Sequence, residues 1–239
     1  MIYTPEILYE DNHLIIVNKK PSDIVQGDKT GDTPLSEHIK IFLKEKYNKP
    51  GDVFLGVTHR IDRPVSGIVI FAKTSKALAR INEMFKGKEI HKTYWAVVKN
   101  HPPKDHDLLV HYLKKTEANN KSKAYEKEIN GALKSELEYT VLCSSDNYHL
   151  LEINPITGRH HQIRVQLAAI GCPIKGDLKY GFNRSNPDAS IHLHSRKVTF
   201  IHPVKQETIT IVGPPPNESL WNAFVKMNRC PKGYHSVKK

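Results

Sequence analysis

The chain is short of cysteine, of acidic side chains relative to basic ones, and of long apolar runs, and each shortage excludes something. Its three cysteines, Cys143, Cys172 and Cys230, are odd in number, far apart and in no C-x-x-C arrangement. They offer no disulfide framework, which fits a reducing cytoplasm. The longest apolar stretches, such as Ile68 to Ala72, are strand-length and far short of a membrane span. The opening MIYTPEILYEDNH places acidic residues where a secretion signal would carry an apolar core. There is no P-loop and no G-x-G-x-x-G, so no nucleotide cofactor is signalled. Histidine is plentiful, and His192 and His194 would share one strand face, yet no H-E-x-x-H or paired-cysteine spacing supports zinc.

What is abundant is positive charge. Against 25 Asp and Glu stand 36 Lys and Arg, a net +11, and the isoelectric point is near 9.4. An excess of this size points to a polyanionic partner, most often a nucleic acid. Hydrophobic residues at 38% and charged residues at 26% are ordinary for a globular protein, so disorder is not the default. At 239 residues the chain can bury a sizeable core.

Apolar periodicity predicts a hairpin over Ile7 to Val17, turned at Asp11-Asn12. A helix opens at Thr33-Pro34, with Thr33 as N-cap and Leu35, Ile39, Phe42 and Leu43 on its apolar face. Ile68 to Ala72 reads as a buried strand; Ser75 caps a second helix buried through Leu78, Ile81 and Phe85, with Gly87 at its end. In the strand His91 to Lys99 the period of two puts Tyr94 on one face with Lys92 and Ala96. Glu136 to Cys143 and His149 to Ile153 read as antiparallel neighbours. A helix from Arg159 to Ile170, closed by Gly171, buries Ile163, Leu167 and Ile170 and sets His160 and Arg164 on another face. Strands at Lys197 to Ile201 and Thr208 to Val212 precede a last helix, capped by Asn217 and buried through Leu220, Trp221, Phe224 and Val225. Cys230 to Lys239 read as a basic frayed tail. With no repeat and no long linker, the whole reads as one α+β unit.

Four stretches carry more polar specificity than a core needs. HRIDRPVSGIVIFAK, His59 to Lys73, sets Asp62 between Arg60 and Arg63 in a short loop before a strand. Nearby guanidinium groups favour an ionised carboxylate, which can serve as a nucleophile; a surface ion-pair cluster holding a turn is the plainer reading of the same residues. In Lys92-Thr93-Tyr94 the tyrosine is either a half-buried sheet residue or a functional one. In TGRHHQIR, Thr157 to Arg164, Arg159 sits near a helix N-terminus, where the dipole disfavours a cation; an anionic partner would account for it, and so would a solvated basic face. GDLKYG, Gly176 to Gly181, has the look of a tight loop.

Taken together these stretches resemble the RluA-type pseudouridine synthase family. The match comprises ILYEDNHLIIVNKKP, HRIDRPVSGIVIFAK, KTYWAVV, NPITGRHHQIRVQL, GDLKYG and LHSRKVTFIHP, in the family's order and over nearly the whole chain. The resemblance implies an α+β fold: a long, mixed, largely antiparallel sheet flanked by helices, with the active cleft across its middle. It implies a single catalytic domain over residues 1–239, without the small N-terminal S4 RNA-binding domain that many relatives carry. The expected activity is isomerisation of a uridine in tRNA or ribosomal RNA to pseudouridine, with no cofactor and no metal, by a cytoplasmic, monomeric enzyme that does not engage membranes. By the same resemblance Asp62 is the catalytic aspartate, acting at the ribose as nucleophile or as base. Arg164 pairs with it, and Tyr94 stacks on the target base and assists removal of the C5 proton. Arg60 fills the space left by the flipped nucleotide, while Arg63, Lys92 and Arg159 contact the RNA. Val65 stands where Thr is common, Ser195 where Ala is common, and the Pro21 to Asp28 loop lacks a glycine and histidine often found there. Two rivals remain at this stage: a catalytically silent RNA-binding protein or RNA chaperone on the same fold, and a base-excising hydrolase using the same carboxylate.

Overall fold

A computed structural model describes residues 3–27, 30–116 and 120–229. Asp28, at the end of the first loop, and the 230–239 tail lie outside the described residues.

Among the described residues eleven strands form one sheet. Strands β1 (Ile7–Glu10) and β2 (Leu14–Lys19) make the expected hairpin. Helix α1 (Leu35–Lys46) leads to the short β3 (Gly56–Val57), and β4 (Ser66–Ala72), buried along its whole length, leads to α2 (Ser75–Lys86). Then come β5 (His91–Val98), β6 (His106–Thr116), β7 (Lys121–Tyr125), β8 (Leu133–Ser144) and β9 (His149–Pro155). Helix α3 (Gln162–Ala169), a single 3-10 turn (Leu178–Tyr180), β10 (Leu193–Ile201), β11 (Thr208–Val212) and α4 (Ser219–Arg229) complete the order. Across the sheet the strands run β1-β2-β4-β10-β5-β9-β8-β6-β7, with β11 on β10 and β3 on β4. Among the described residues only β4 and β10 are parallel to each other; the remaining pairs are antiparallel.

The period of two decides which helix each strand meets. Ile15 and Val17 of β2 pack with Leu35, Ile39 and Leu43 of α1 and with Ile163 and Leu167 of α3. Leu14 and Ile16 face the other way, into a cluster with Ala77 and Ile81 of α2. Likewise Tyr94 and Ala96 of β5 join the α1/α3 side, while Trp95 and Val97 pack on Trp221 and Phe224 of α4. Tyr94 therefore stands on the face expected of it.

The helix ends depart from the sequence reading in instructive ways. Helix α1 is capped at Pro34 rather than Thr33: the Leu35 and Ser36 amides donate to the carbonyls of Ile24 and Val25, so backbone satisfies the helix's orphan donors and no side-chain cap is needed. Thr74, not Ser75, caps α2, its hydroxyl accepting from the Ala77 amide at 3.2 Å. At the other end Gly87 keeps right-handed geometry and Lys88, φ 60°, takes the left-handed position. Helix α3 starts three residues later than Arg159, because His161 adopts φ 56° and a left-handed residue cannot be propagated as helix. Arg159 and His160 thus lie in a turn, and His160 does not share a helix face with Arg164. Asn217 accepts from Nδ2 of Asn222, two residues ahead of the start of α4.

Candidate active site

The Asp62 loop is short and pinned at both sides. Ile61 and Val65 are buried in the core, so the alternation turns Asp62 outward between them. The Val65 amide closes a turn onto the Asp62 carbonyl at 3.0 Å. Upstream, His59 Nε2 accepts from the Ile70 amide at 3.0 Å and the Thr58 hydroxyl donates to the Ile70 carbonyl at 2.7 Å, which ties the loop to β4. A further anchor is Lys19, whose fully buried ammonium donates to the carbonyls of Lys20, Asp23 and Arg63 at 2.9, 2.8 and 3.1 Å. Burial pulls the Lys19 pKa down to about 7, with Asp23 and Asp62 opposing the fall. Val65, at the position where the resemblance expects threonine, is simply a core side chain here.

The guanidinium that meets Asp62 is neither of its sequence neighbours. Arg63 points away to Asp32 at 2.7 Å, and Arg60 is exposed at the cleft, without an ion pair among the described residues. Arg164 Nη1 instead donates to Asp62 Oδ2 at 2.8 Å from α3. The same side chain is held from behind by Asp177, Nε to Oδ2 at 2.7 Å and Nη2 to Oδ1 at 2.8 Å, a bidentate pair only about 1% exposed on the aspartate side. Burial opposes the charge on Arg164, but Asp177 and Asp62 together hold its pKa above the ordinary arginine range. Oδ2 of Asp62 is thus occupied, whereas Oδ1 has no hydrogen-bond partner among the described residues and the side chain stays 31% exposed.

Around this pair lies a cleft of about 1620 Å³, too large for a single base and open along the sheet's centre. It is lined by Asp62, Tyr94 and Arg164 together with Arg60, Arg63, Lys92 and Arg159. Every residue proposed from the sequence therefore borders one space. Counting Lys86, Lys88, Lys115 and Lys179, nine cations among the described residues line the cleft, against the two described carboxylates Asp62 and Glu138. Tyr94 forms part of the wall, 8% exposed; burial pushes its pKa up to about 12, with the charge of Asp62 adding to the rise and Ser195 opposing it. Lys92 is half-buried over the Phe85 ring, and burial lowers its pKa.

The residues that sequence reasoning missed are those that hold the others. Asp177 and Tyr180 lie in GDLKYG, whose tightness was legible but whose purpose was not. Tyr180 presents its ring to the Arg164 guanidinium at 5.2 Å and its hydroxyl to His161 Nδ1 at 2.7 Å. The histidines weighed for a metal serve elsewhere: His192 stacks on Trp221 and contacts Glu218 at 2.9 Å, and His194 bridges Ser66 and the Gly213 carbonyl.

The profile of the RNA pseudouridylate synthase family matches residues 13–169. A ribosomal large subunit pseudouridine synthase C of Vibrio cholerae is 31% identical over 230 residues, covering 94% of this chain and 70% of that protein. The chain belongs to the RNA pseudouridylate synthase family. Its enzymatic class is therefore that of an RNA pseudouridine synthase. A tRNA pseudouridine synthase C of Vibrio vulnificus is also 31% identical, over 86% of this chain and 89% of that protein. Among solved structures, human RNA pseudouridylate synthase domain containing 4 superposes with a TM-score of 0.76 over 94% of this chain and 93% of its own, at 23% identity, which establishes the synthase fold.

Proposed function

We propose that the chain acts as a single catalytic domain over 1–239, in the cytoplasm and as a monomer, on a uridine of tRNA or ribosomal RNA, with Asp62 as its catalytic carboxylate. The observation that carries this reading is the asymmetric hold on Asp62: Oδ2 is taken by Arg164, whereas among the described residues Oδ1 has no partner and nine cations line the cleft that Asp62 borders. An ionised carboxylate with one bound and one free oxygen is suited to meet a ribose C1′ that becomes positive as its bond to the base breaks. The N1–C1′ bond breaks, the base turns, C5 bonds to C1′, C5 loses a proton and N1 gains one. Atoms balance, so RNA mass does not change.

The other residues divide the remaining work. Arg164, fixed by Asp177, pairs with Asp62 and holds its orientation. Tyr94 offers a ring for the extruded base; with its pKa near 12 the hydroxyl stays protonated at neutral pH, so it receives the C5 proton only by passing its own onward. Arg60, exposed at the cleft, fills the stack vacated by the flipped nucleotide. Arg63, Lys92 and Arg159 meet phosphates along the walls. The carbodiimide map of pseudouridines in cellular RNA, with and without the gene, tests the reading. Loss of defined sites, restored by wild type and not by Asp62→Asn, is expected; restoration by Asp62→Asn would overturn the role of Asp62.

A further inference from the structure

A strained histidine lies beside the carboxylate. His161 is only 9% exposed, adopts φ 56°, and closes the turn that precedes α3. A left-handed non-glycine residue is retained where its surroundings over-determine it, commonly at functional sites. Its Nε2 lies 3.5 Å from Asp62 Oδ2, the same oxygen that Arg164 holds. On the far side its Nδ1 meets the Tyr180 hydroxyl at 2.7 Å, and that oxygen accepts from the Ser122 amide at 2.8 Å.

The direction of this chain of contacts follows from its fixed end. A backbone N–H can only donate, so Ser122 fills an acceptor site on the Tyr180 oxygen and the phenol proton is free to point at His161 Nδ1. An imidazole whose Nδ1 accepts carries its proton on Nε2, which faces Asp62. The opposite tautomer would set a nitrogen lone pair against the carboxylate at 3.5 Å, which is repulsive. The charged and titratable groups around the ring are Asp62, Arg164, His160 and Lys179; burial outweighs the opposing pull of Asp62 and, with Arg164, His160 and Lys179 acting in the same direction as burial, holds the His161 pKa down to about 3, so the ring is neutral at any working pH. His160 stacks on it at 3.8 Å and is itself tied to the Ser122 hydroxyl, which blocks rotation.

We propose that His161 is a positioning residue: a neutral N–H donor, set in its tautomer by Tyr180 and the Ser122 amide, that joins Arg164 on Oδ2 of Asp62 and so keeps Oδ1 aimed into the cleft. At 3.5 Å the contact is longer than a formed hydrogen bond, a spacing common for catalytic contacts before substrate is bound. This rests on the reading of Asp62 as the catalytic carboxylate.

The test is single-turnover and steady-state kinetics on one RNA that wild type modifies and Asp62→Asn does not; if Asp62→Asn remains active, the underlying reading fails before His161 is at issue. His161→Gln and His161→Leu are a matched pair, since both bear the same left-handed backbone cost and only Gln offers an N–H. Gln is expected to keep kcat within about threefold of wild type and Leu to lose at least about tenfold, with KM changed less than about twofold in both. Tyr180→Phe leaves the strained backbone untouched, so it tests the arrangement even if both His161 variants misfold; a loss of about fivefold to tenfold in kcat alone is expected. Equal kcat for Gln and Leu, a loss confined to KM, or a Tyr180→Phe variant with wild-type kcat would each overturn the proposal.

Discussion

Asp177→Asn is the most informative single change, because it preserves shape and removes only charge. Asp177 accepts both Nε and Nη2 of Arg164 in a place from which water is excluded. An asparagine keeps one acceptor but turns an amide N–H₂ toward a guanidinium that can only donate, so one of the two bonds becomes a donor–donor clash. Two charge-assisted bonds at about 1.5–3 kcal/mol each set an upper range, and removing one partner of a buried ion pair generally costs about 3–5 kcal/mol. For a chain of this length each kcal/mol lowers Tm by about 2–4 °C, so a fall of about 6–20 °C is expected. The released guanidinium then has Asp62 as its only carboxylate, and without its rear support the carboxylate loses its fixed direction. We expect kcat to fall by at least about tenfold in the variant that remains folded at assay temperature. Thermal melting at neutral pH, paired with kcat on a modified RNA, reads both effects. A companion pair, Arg164→Met with Asp177→Leu, should melt above Asp177→Asn although inactive, since an apolar replacement leaves no buried charge unpaired. A Tm within about 2 °C of wild type for Asp177→Asn would refute the reasoning.

Other outcomes are equally specific. Gly67, at φ 112°, sits where an added Cβ would collide with the Ser195 carbonyl oxygen and lie 2.6 Å from the Ser195 nitrogen, so Gly67→Ala should force β4 and β10 apart and cost more than about 3 kcal/mol, read as lost soluble yield and a lowered Tm. His161, His192 and His194 are buried with pKa values near 3, 4 and 4, below the ordinary 6.5. Below pH 6.5 the unfolded chain binds protons that the folded chain refuses, so stability should fall as pH drops from about 6.5 toward 4, by up to about 1.4 kcal/mol per pH unit per histidine; a flat Tm over that window would contradict it. Lys88 and Lys115 line the cleft and are exposed, so replacing both with alanine should weaken RNA binding and flatten the slope of log affinity against log salt by about 1.4, measured by fluorescence anisotropy.

Several features of the site were legible because they are local. The alternation around Tyr94 fixes its face whatever the strand pairs with, and the apolar flanks Ile61 and Val65 oblige Asp62 to turn outward. Helix ends were less legible, since the donors they must satisfy can be met from anywhere. In α1 the amides go to the carbonyls of Ile24 and Val25, and no capping side chain records it. At His161 nothing in the sequence distinguishes a helical from a left-handed residue, and the expected helix ran three residues too far.

By itself the sequence determined the sheet-and-helix composition, the basic cleft, and the family, through ordered motifs whose residue types are set by chemistry at close range. The resemblance already named Arg164 as the partner of Asp62; what only the tertiary structure decided is what holds that pair, Asp177 behind Arg164 and His161 beside Oδ2 of Asp62. Arg60 and Arg63 flank Asp62 along the chain, yet the guanidinium on Oδ2 comes from Arg164, 102 residues later, and is itself held by Asp177. The reason is geometric: neighbours along an extended loop project to different sides, whereas a buried helix facing the loop can aim a side chain across the cleft. A carboxylate's partners are therefore set by packing, which sequence adjacency does not encode.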